Sequence, residues 1–413
     1  MNDAPRSRTG ALPVGSPIPK PASGQRIWEI DAVRGLMIVL MTSTHLSTFL
    51  SSPAGQPFGF VSAAEGFVML SAFMAGMVYT RRALSSGIAA MRHAFLMRAL
   101  KIYGSQAALL LFLFTFIAVL GLTIDQPSVT NLLAYYIHRP LMAFLGGLAL
   151  VYNPPLLDIL PIYILFMLLS SPVLAHGLRK GWNGILAVSV GLWFIAQFDV
   201  GRWCYHLMQS LTGMPIPYEL SGAFEMLGWQ FIWVLGLWMG ATMSIAHAHG
   251  ERAFPPFPRW MIALAIAIAL FLLGWRHIIG QVPFPHLHDA DWQNRLFDKW
   301  HLGPLRIIDF FALLIVTMRF GRGWLALLPR MRWLEMMGSA SLPVFCAQLV
   351  LVLLALAVFG EWRPERPLWI DLCILVGSFA ILTGVAYVSG QIDAYTVAFK
   401  KRREARRMVT GKA

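Results

Sequence analysis

Two apolar segments near the start of the chain contain side chains that can carry out acid–base chemistry. The first contains Asp31, Arg34 and His45, and the second contains Glu65. A charged group inside hydrocarbon costs on the order of 2.5 to 3.5 kcal/mol on insertion scales, so such residues usually mark a buried functional site. An imidazole beside a carboxylate is a common general base, because the carboxylate orients the ring and stabilises the imidazolium.

Helical spacing places the polar residues of the first segment on one face. Arg34 and His45 are eleven residues apart, close to three helical turns or roughly 16 Å, and Asp31 lies one turn before Arg34. Glu65 and His45 are each about five residues from the outer ends of their segments, so we expect them at similar depth. Glu65 would then orient His45. A polar tether between two helices, with Asp31 and Arg34 as an intramembrane pair, is the alternative.

The composition indicates a polytopic membrane protein. Of the 413 residues, 57% are hydrophobic and 13% are charged, whereas soluble domains carry about 25% charge. The sequence predicts an all-α fold with about ten transmembrane helices, because ten segments have the length and apolar character of spans: 29–50, 60–80, 95–121, 156–175, 183–198, 223–246, 259–279, 304–320, 339–359 and 368–391. Leu141–Val151 follows a proline and is too short to cross, so it is a re-entrant segment or part of an eleventh span.

The net charge of +13 is distributed in a way that predicts orientation. Lysine and arginine cluster in alternate loops and in the tail Lys400–Arg407, while the opposite loops hold most of the acids. This positive-inside pattern predicts that both termini are cytoplasmic. We expect anionic lipid as the partner of the basic residues and no nucleic acid. Residues 1–25 are predicted to be a disordered cytoplasmic tail, 26–393 the membrane domain and 394–413 a basic cytoplasmic tail.

Metal and disulfide chemistry are weakly indicated. The loop sequence PHLHDADW contains metal-binding residue types, namely His286, His288, Asp289 and Asp291, but a flexible loop of this kind is a weak signal. The three cysteines are widely spaced in the sequence, at Cys204, Cys346 and Cys373. We expect no metal, no bound cofactor and no disulfide framework. The sequence does not indicate an oligomeric state.

Seven blocks of the sequence, taken in order, resemble a known family. They are EIDAVRGLMIVLMTSTH, GFVSAAEGFVMLSAF, FLMRALKIY, LDILPIYILFMLLSSPVL, GWQFIWVLGLWMG, KWHLGPLRIIDFFALL and SLPVFCAQLVL. The chain resembles the OpgC family from about residue 26 to 390. These integral membrane proteins are implicated in the succinylation of osmoregulated periplasmic glucans and are related to the acyltransferase-3 superfamily.

The resemblance implies an O-acyltransferase of the bacterial inner membrane. Such an enzyme takes an acyl group, here expected to be succinyl, from cytoplasmic acyl-CoA and delivers it to a hydroxyl of an extracytoplasmic glucan. Functional residues of the superfamily match Arg34, expected to stabilise the oxyanion, and His45, the expected base. The basic pair that opens the third span matches Arg98 and Lys101, expected to hold donor phosphates. Relatives often carry aspartate before the histidine, where this chain has Thr44.

Three further basic residues lie near the predicted outer surface. Lys299 and Arg306 flank the start of the eighth span, and Arg276 ends the seventh. All three are candidates for the acceptor side. Interfacial anchoring explains Lys299 and Arg306 equally well, and snorkelling explains Arg276 without a function. The competing function is that of a saccharide transporter or flippase, which would use the charged stripe as a pathway without acyl transfer.

Overall fold

The computed structural model describes residues 28–280, 290–327 and 329–410. These residues are helical apart from turns and loops. They form no β-strand, and an isolated β-bridge joins Phe58 and Val61. The all-α prediction is therefore confirmed. The predicted tail at residues 1–25 lies outside the described residues.

The described residues form seventeen α-helices. In chain order they are α1 (Trp28–His45), α2 (Ser51–Gly55), α3 (Ala63–Phe112), α4 (Ala118–Thr123), α5 (Pro127–Leu132), α6 (Ala134–His138), α7 (Pro140–Leu148), α8 (Ile159–Lys180), α9 (Asn183–Ala196), α10 (Val200–Thr212), α11 (Met226–His249), α12 (Arg259–Gly274), α13 (Ala290–Phe297), α14 (Pro304–Leu327), α15 (Arg332–Ser339), α16 (Ser341–Phe359) and α17 (Leu368–Thr410). Short π-helical turns follow α3 and α12, at Leu113–Ile117 and Trp275–Ile279.

The helices belong to two compact units. The large unit is formed by Gln56–Trp324, and the small unit is formed by Arg26–Gly55 together with Leu325–Ala413. The small unit therefore combines the first apolar helix of the chain with the last ones. Contacts at such a sequence separation cannot be read from local patterns.

Helix α3 is interrupted at Gly87, where φ is 86° and ψ is 166°. A residue with a side chain rarely adopts this backbone conformation, whereas glycine does so readily. A Cβ at this position would meet no atom within 4 Å, so the requirement for glycine comes from the backbone and not from crowding. The break separates the regions of the second and third predicted spans.

Among the residues that the structure describes, six helices are long and apolar enough to cross a membrane. A seventh is possible if α9 and α10, which are bent by 79° at their junction, form one broken span. Helix α1 is not among the six, and it carries the charged residues Glu29, Asp31 and Arg34. Helix α7 has nine residues, which is too short to cross a bilayer alone. The chain is therefore a membrane protein, while ten spans and cytoplasmic termini stay predictions.

Small residues set the packing of the large unit, in which α3 contacts α8 and α11. A Cβ on Gly236 of α11 would lie 2.6 Å from the carbonyl oxygen of Met69 on α3, too close for any larger residue. Close approach of backbones through small residues is typical of helix packing in membranes, where van der Waals contact replaces the hydrophobic effect.

Candidate functional site

The polar stripe predicted on α1 is present in the small unit. Asp31 and Arg34 are buried, with 6% and 9% of their surfaces exposed. The guanidinium of Arg34 lies 3.7 Å from the Asp31 carboxylate and donates a hydrogen bond to the hydroxyl of Ser341 at 2.5 Å. The structure thus places Asp31 beside Arg34, and it adds Ser341, the first residue of α16, which the sequence did not indicate.

Two glycines allow α1 and α15 to approach closely enough for this contact. A Cβ on Gly35 would overlap the carbonyl group of Leu334, and a Cβ on Gly338 would overlap the carbonyl group of Asp31. Both overlaps are with backbone atoms, which cannot rotate away. Gly35 follows Arg34 directly, and Gly338 lies three residues before Ser341. The glycines therefore fix the distance between the helix ends that carry Arg34 and Ser341.

His45 is the last residue of α1 and is half-buried. Its ring nitrogen Nδ1 lies 3.4 Å from Nε2 of Gln348 on α16, and Gln348 is 0% exposed. Ser341 and Gln348 are seven residues apart, close to two helical turns, so they lie on one face of α16. The two functional candidates of α1 therefore face one polar stripe of α16. Since Arg34 meets the start of α16 and His45 its middle, the two helices run in the same direction.

A second polar cluster holds the turn that follows His45. The carboxylate of Asp371, which is 1% exposed, accepts a hydrogen bond from the backbone N–H of Phe49 at 2.9 Å. Arg366 donates to the carbonyl oxygen of Ser47 at 2.7 Å and lies 3.5 Å from Asp371. Asp371 is an acidic residue inside a predicted apolar span, and this feature of the sequence could have indicated the cluster. It anchors the chain at the end of α1, where His45 lies.

Glu65 lies in the large unit, where both of its carboxylate oxygens accept hydrogen bonds. It is the third residue of α3 and forms a capping box with Ser62, whose hydroxyl and backbone N–H both donate to Oε2. Its Oε1 accepts from Arg306 at 2.6 Å, and both side chains are 1% exposed. The sequence predicts Glu65 as the partner of His45 and Arg306 as an acceptor-binding residue, so it does not predict this ion pair. The pairing of Glu65 with His45 stays a prediction.

Arg306 connects the start of α3 to the segments around it. Its Nε donates to the carbonyl oxygen of Phe297 at 2.8 Å, and Asp309, one turn further along α14, accepts from the backbone N–H of Phe60 at 2.7 Å. Removing one partner of a buried ion pair typically costs about 3 to 5 kcal/mol, because the other charge is left uncompensated. Arg306 therefore has a clear structural role, and its contact with an acceptor stays a prediction.

Lys299 and Arg276, the other acceptor-side candidates, have different surroundings. Burial lowers the pKa of Lys299 below its ordinary value, and the charges of Glu65 and Asp158 oppose this shift only in part. Its ammonium group lies 5.1 Å from the ring centre of Trp300, within cation–π range. The Nε of Arg276 donates to the amide oxygen of Gln56 at 2.6 Å. Lys299 thus lies close enough to the Glu65–Arg306 pair for the charges of both residues to act on its ammonium group.

The loop beside Lys299 contains an acid–histidine pair that the sequence did not indicate. The imidazole of His301 is hydrogen-bonded to the carboxylate of Asp298, and this bond raises the pKa of His301. Burial alone would raise the pKa of Asp298, but hydrogen bonds from His301 and from the backbone N–H of Trp300 lower it overall. The pair closes the turn that leads into α14.

Arg98 and Lys101, the predicted donor-binding residues, lie on the second half of α3. They are three residues apart and so share one face of the helix. Arg98 is half-buried and Lys101 is exposed. Neither makes a salt bridge with another residue in the described ranges. Their charges are therefore available to an anion. The loop with His286, His288 and Asp289 lies outside the described residues.

The apolar helices and the charged residues buried among them define a membrane protein with internal polar sites. A family model described as OpgC protein matches residues 26–394. The chain therefore belongs to the OpgC family, and this membership indicates a transferase that acylates a glucan. A search of curated proteins found no match. A search of solved structures also found no match.

Proposed function

We propose that the protein is an O-acyltransferase of the bacterial inner membrane that moves a succinyl group from cytoplasmic succinyl-CoA to hydroxyls of an extracytoplasmic glucan. The observation that carries this proposal is the pairing of α1 with α16, in which Arg34 meets Ser341 and His45 meets Gln348. A transporter needs a charged path but no imidazole held in place by a buried amide. The family match supports the glucan as acceptor.

His45 acts as the general base in this proposal. Its ring takes the proton of an acceptor hydroxyl while the hydroxyl oxygen attacks the thioester carbonyl carbon. The carbon–sulfur bond then breaks, and the proton passes from the imidazolium to the departing thiolate of coenzyme A. One ester forms, one thioester is lost, and no further reactant is required. This path is a direct transfer; a covalent acyl-enzyme is the alternative.

Arg34 stabilises the oxyanion that develops on the thioester carbonyl in this proposal. Its guanidinium is buried, and the Asp31 carboxylate 3.7 Å away compensates its charge. Arg34 and His45 are separated by roughly 16 Å along α1, so the proposal places the reacting thioester between the two side chains.

The remaining elements of the proposal concern the donor and the topology. Arg98 and Lys101 bind phosphates of coenzyme A, which is supported by their lack of a salt bridge with any other described residue. Ten spans with both termini in the cytoplasm place the donor inside and the glucan outside, as the distribution of basic loops supports. A relation to the acyltransferase-3 superfamily belongs to the same proposal. The partners are succinyl-CoA, the glucan and membrane lipid.

Mass spectrometry of envelope glucans tests this function. A strain that lacks the protein is complemented with the parent gene or with the His45→Ala variant, and the periplasmic glucans are compared. We expect succinylated glucan only with the parent gene and unmodified glucan in normal amount with the variant. Glucan missing from the periplasm of the deletion strain would instead favour the transporter.

A further inference from the structure

Gln348 is a buried polar residue in an otherwise apolar stretch of α16. Its side chain is 0% exposed, and within the described part of the chain its Oε1 has no hydrogen-bond partner. Its other amide atom, Nε2, lies 3.4 Å from Nδ1 of His45. Burial of an amide group without full hydrogen bonding is unfavourable, so a buried amide beside a candidate base calls for an explanation.

The orientation of the amide determines which ring nitrogen can accept a proton. If Nε2–H of Gln348 donates to Nδ1, the ring proton of neutral His45 is on its own Nε2, which then cannot act as a base. If the amide is rotated by half a turn, Oε1 accepts from Nδ1–H, and Nε2 of the ring carries the free electron pair. The two ends of a glutamine amide have nearly the same shape, so both orientations fit the same space.

We propose that Gln348 is a positioning residue that accepts a hydrogen bond from Nδ1–H of His45 and so keeps its Nε2 unprotonated and aimed at the acceptor hydroxyl. This inference rests on the proposed function of His45 as the base. It assigns to a neutral amide the task that a carboxylate or an asparagine performs in hydrolase triads. The distance of 3.4 Å is longer than a good hydrogen bond, and contacts of this kind tighten when substrate binds.

The position of Gln348 is well suited to this task. The amide is carried by α16, whose start is tied to α1 by the bond between Arg34 and Ser341. The turn after His45 is anchored separately by Asp371 and Arg366. Both sides of the contact are therefore held by other interactions. The amide can set the ring orientation without also having to hold the helices together.

Two substitutions separate this role from simple packing. Gln348→Leu keeps the volume but removes the acceptor, whereas Gln348→Glu keeps an acceptor at the same reach. Positioning predicts that Gln348→Leu lowers kcat about 3- to 10-fold, which corresponds to the loss of one neutral hydrogen bond, and leaves KM for succinyl-CoA unchanged. It also predicts that Gln348→Glu is the more active of the two variants. Packing predicts the reverse order, because leucine suits a buried apolar site and a carboxylate does not.

The measurement is release of coenzyme A from succinyl-CoA in the presence of glucan, with purified protein that elutes as a single folded species. Gln348→Met serves in place of the Leu variant if the latter does not accumulate. Val352→Ala, one turn further along α16, is the matched control for lost packing and should retain the parent kcat. Activity of the Leu variant equal to or above that of the Glu variant overturns the inference.

A comparison with His45→Ala distinguishes a failure of the Gln348 role from a failure of His45 as the base. If His45→Ala is inactive and Gln348→Leu is fully active, Gln348 has no positioning role while the base remains His45. If His45→Ala is itself active, the proposed function fails, and the inference about Gln348 fails with it. Loss of activity in His45→Ala together with the Glu-over-Leu order supports both.

Discussion

Replacement of Gly338 by alanine should separate α1 from α15 and disturb the site that they hold. A Cβ at this position would overlap the carbonyl oxygen of Asp31 and would lie 2.7 Å from its carbonyl carbon and 2.8 Å from the backbone nitrogen of Gly35. Ordinary carbon contacts are about 3.5 Å or longer, so removing the overlap with the carbonyl oxygen requires the helices to move apart by about 1.5 Å. Backbone atoms cannot avoid the methyl group by changing rotamer.

The expected consequences follow from this displacement. Overpacking of a close contact costs about 1 to 3 kcal/mol of stability. Because α15 leads into α16, the bond between Arg34 and Ser341 should stretch. A displacement of about 1 Å in a positioned active-site group can lower the rate about a hundredfold. Gly338→Ala should therefore lose more activity than its loss of stability explains.

The assay compares Gly338→Ala with Gly377→Ala on α17, where a Cβ would meet no atom within 4 Å. Each variant is purified in detergent, its melting temperature is measured, and acyl transfer is measured well below that temperature. The control should be as active and at least as stable as the parent, since alanine favours a helix by about 1 kcal/mol over glycine. Parent-like activity and stability of Gly338→Ala would show that the two helices do not need this close approach.

Three further predictions concern residues outside the small unit. Arg306→Met and Glu65→Gln should each lower the free energy of unfolding by about 3 to 5 kcal/mol, and the double variant should lose less than the sum of the two, as a double-mutant cycle in detergent can measure. Neutral variants of Arg98 and Lys101 should raise KM for succinyl-CoA, each lost charge-assisted contact being worth about 1.5 to 3 kcal/mol, with KM for the glucan unchanged; an unchanged donor KM in the double variant removes the phosphate role. Asp298→Asn should lower the free energy of unfolding mainly in the pH range between 3.8, the ordinary carboxyl pKa, and 6.5, the ordinary imidazole pKa. Below this window the carboxyl is protonated, and as pH rises through the raised pKa of its histidine partner the contribution is lost, so a deficit independent of pH would contradict the pairing.

Properties that depend on one helix could be predicted from the sequence. The all-α fold followed from composition, and the placement of Asp31 beside Arg34 followed from the helical period. The capping box of Ser62 and Glu65 also has a local signature, namely serine followed by glutamate three residues later.

Properties that depend on which helices pack together could not be predicted. Glu65 and Arg306 are 241 residues apart, and His45 and Gln348 are 303 residues apart. A hydrophobic pattern tells which face of a helix is buried but not which partner covers it. Similar depth alone does not identify neighbours, because many side chains in a helical membrane protein share a depth, so the pairing of Glu65 with His45 stays a prediction. Partner choice depends on close contacts such as those of Gly338, which have no local signature.

The role of His45 as the general base is the claim on which the proposed mechanism depends. Its most direct test is the transfer rate of purified His45→Ala with succinyl-CoA and glucan, beside its melting temperature. Loss of a general base lowers a rate by about a hundred- to ten-thousand-fold. We expect a loss in this range with a melting temperature close to that of the parent, because His45 is half-buried at a helix end and its neighbouring turn is held by Asp371. A variant that retains half of the parent rate would contradict the account.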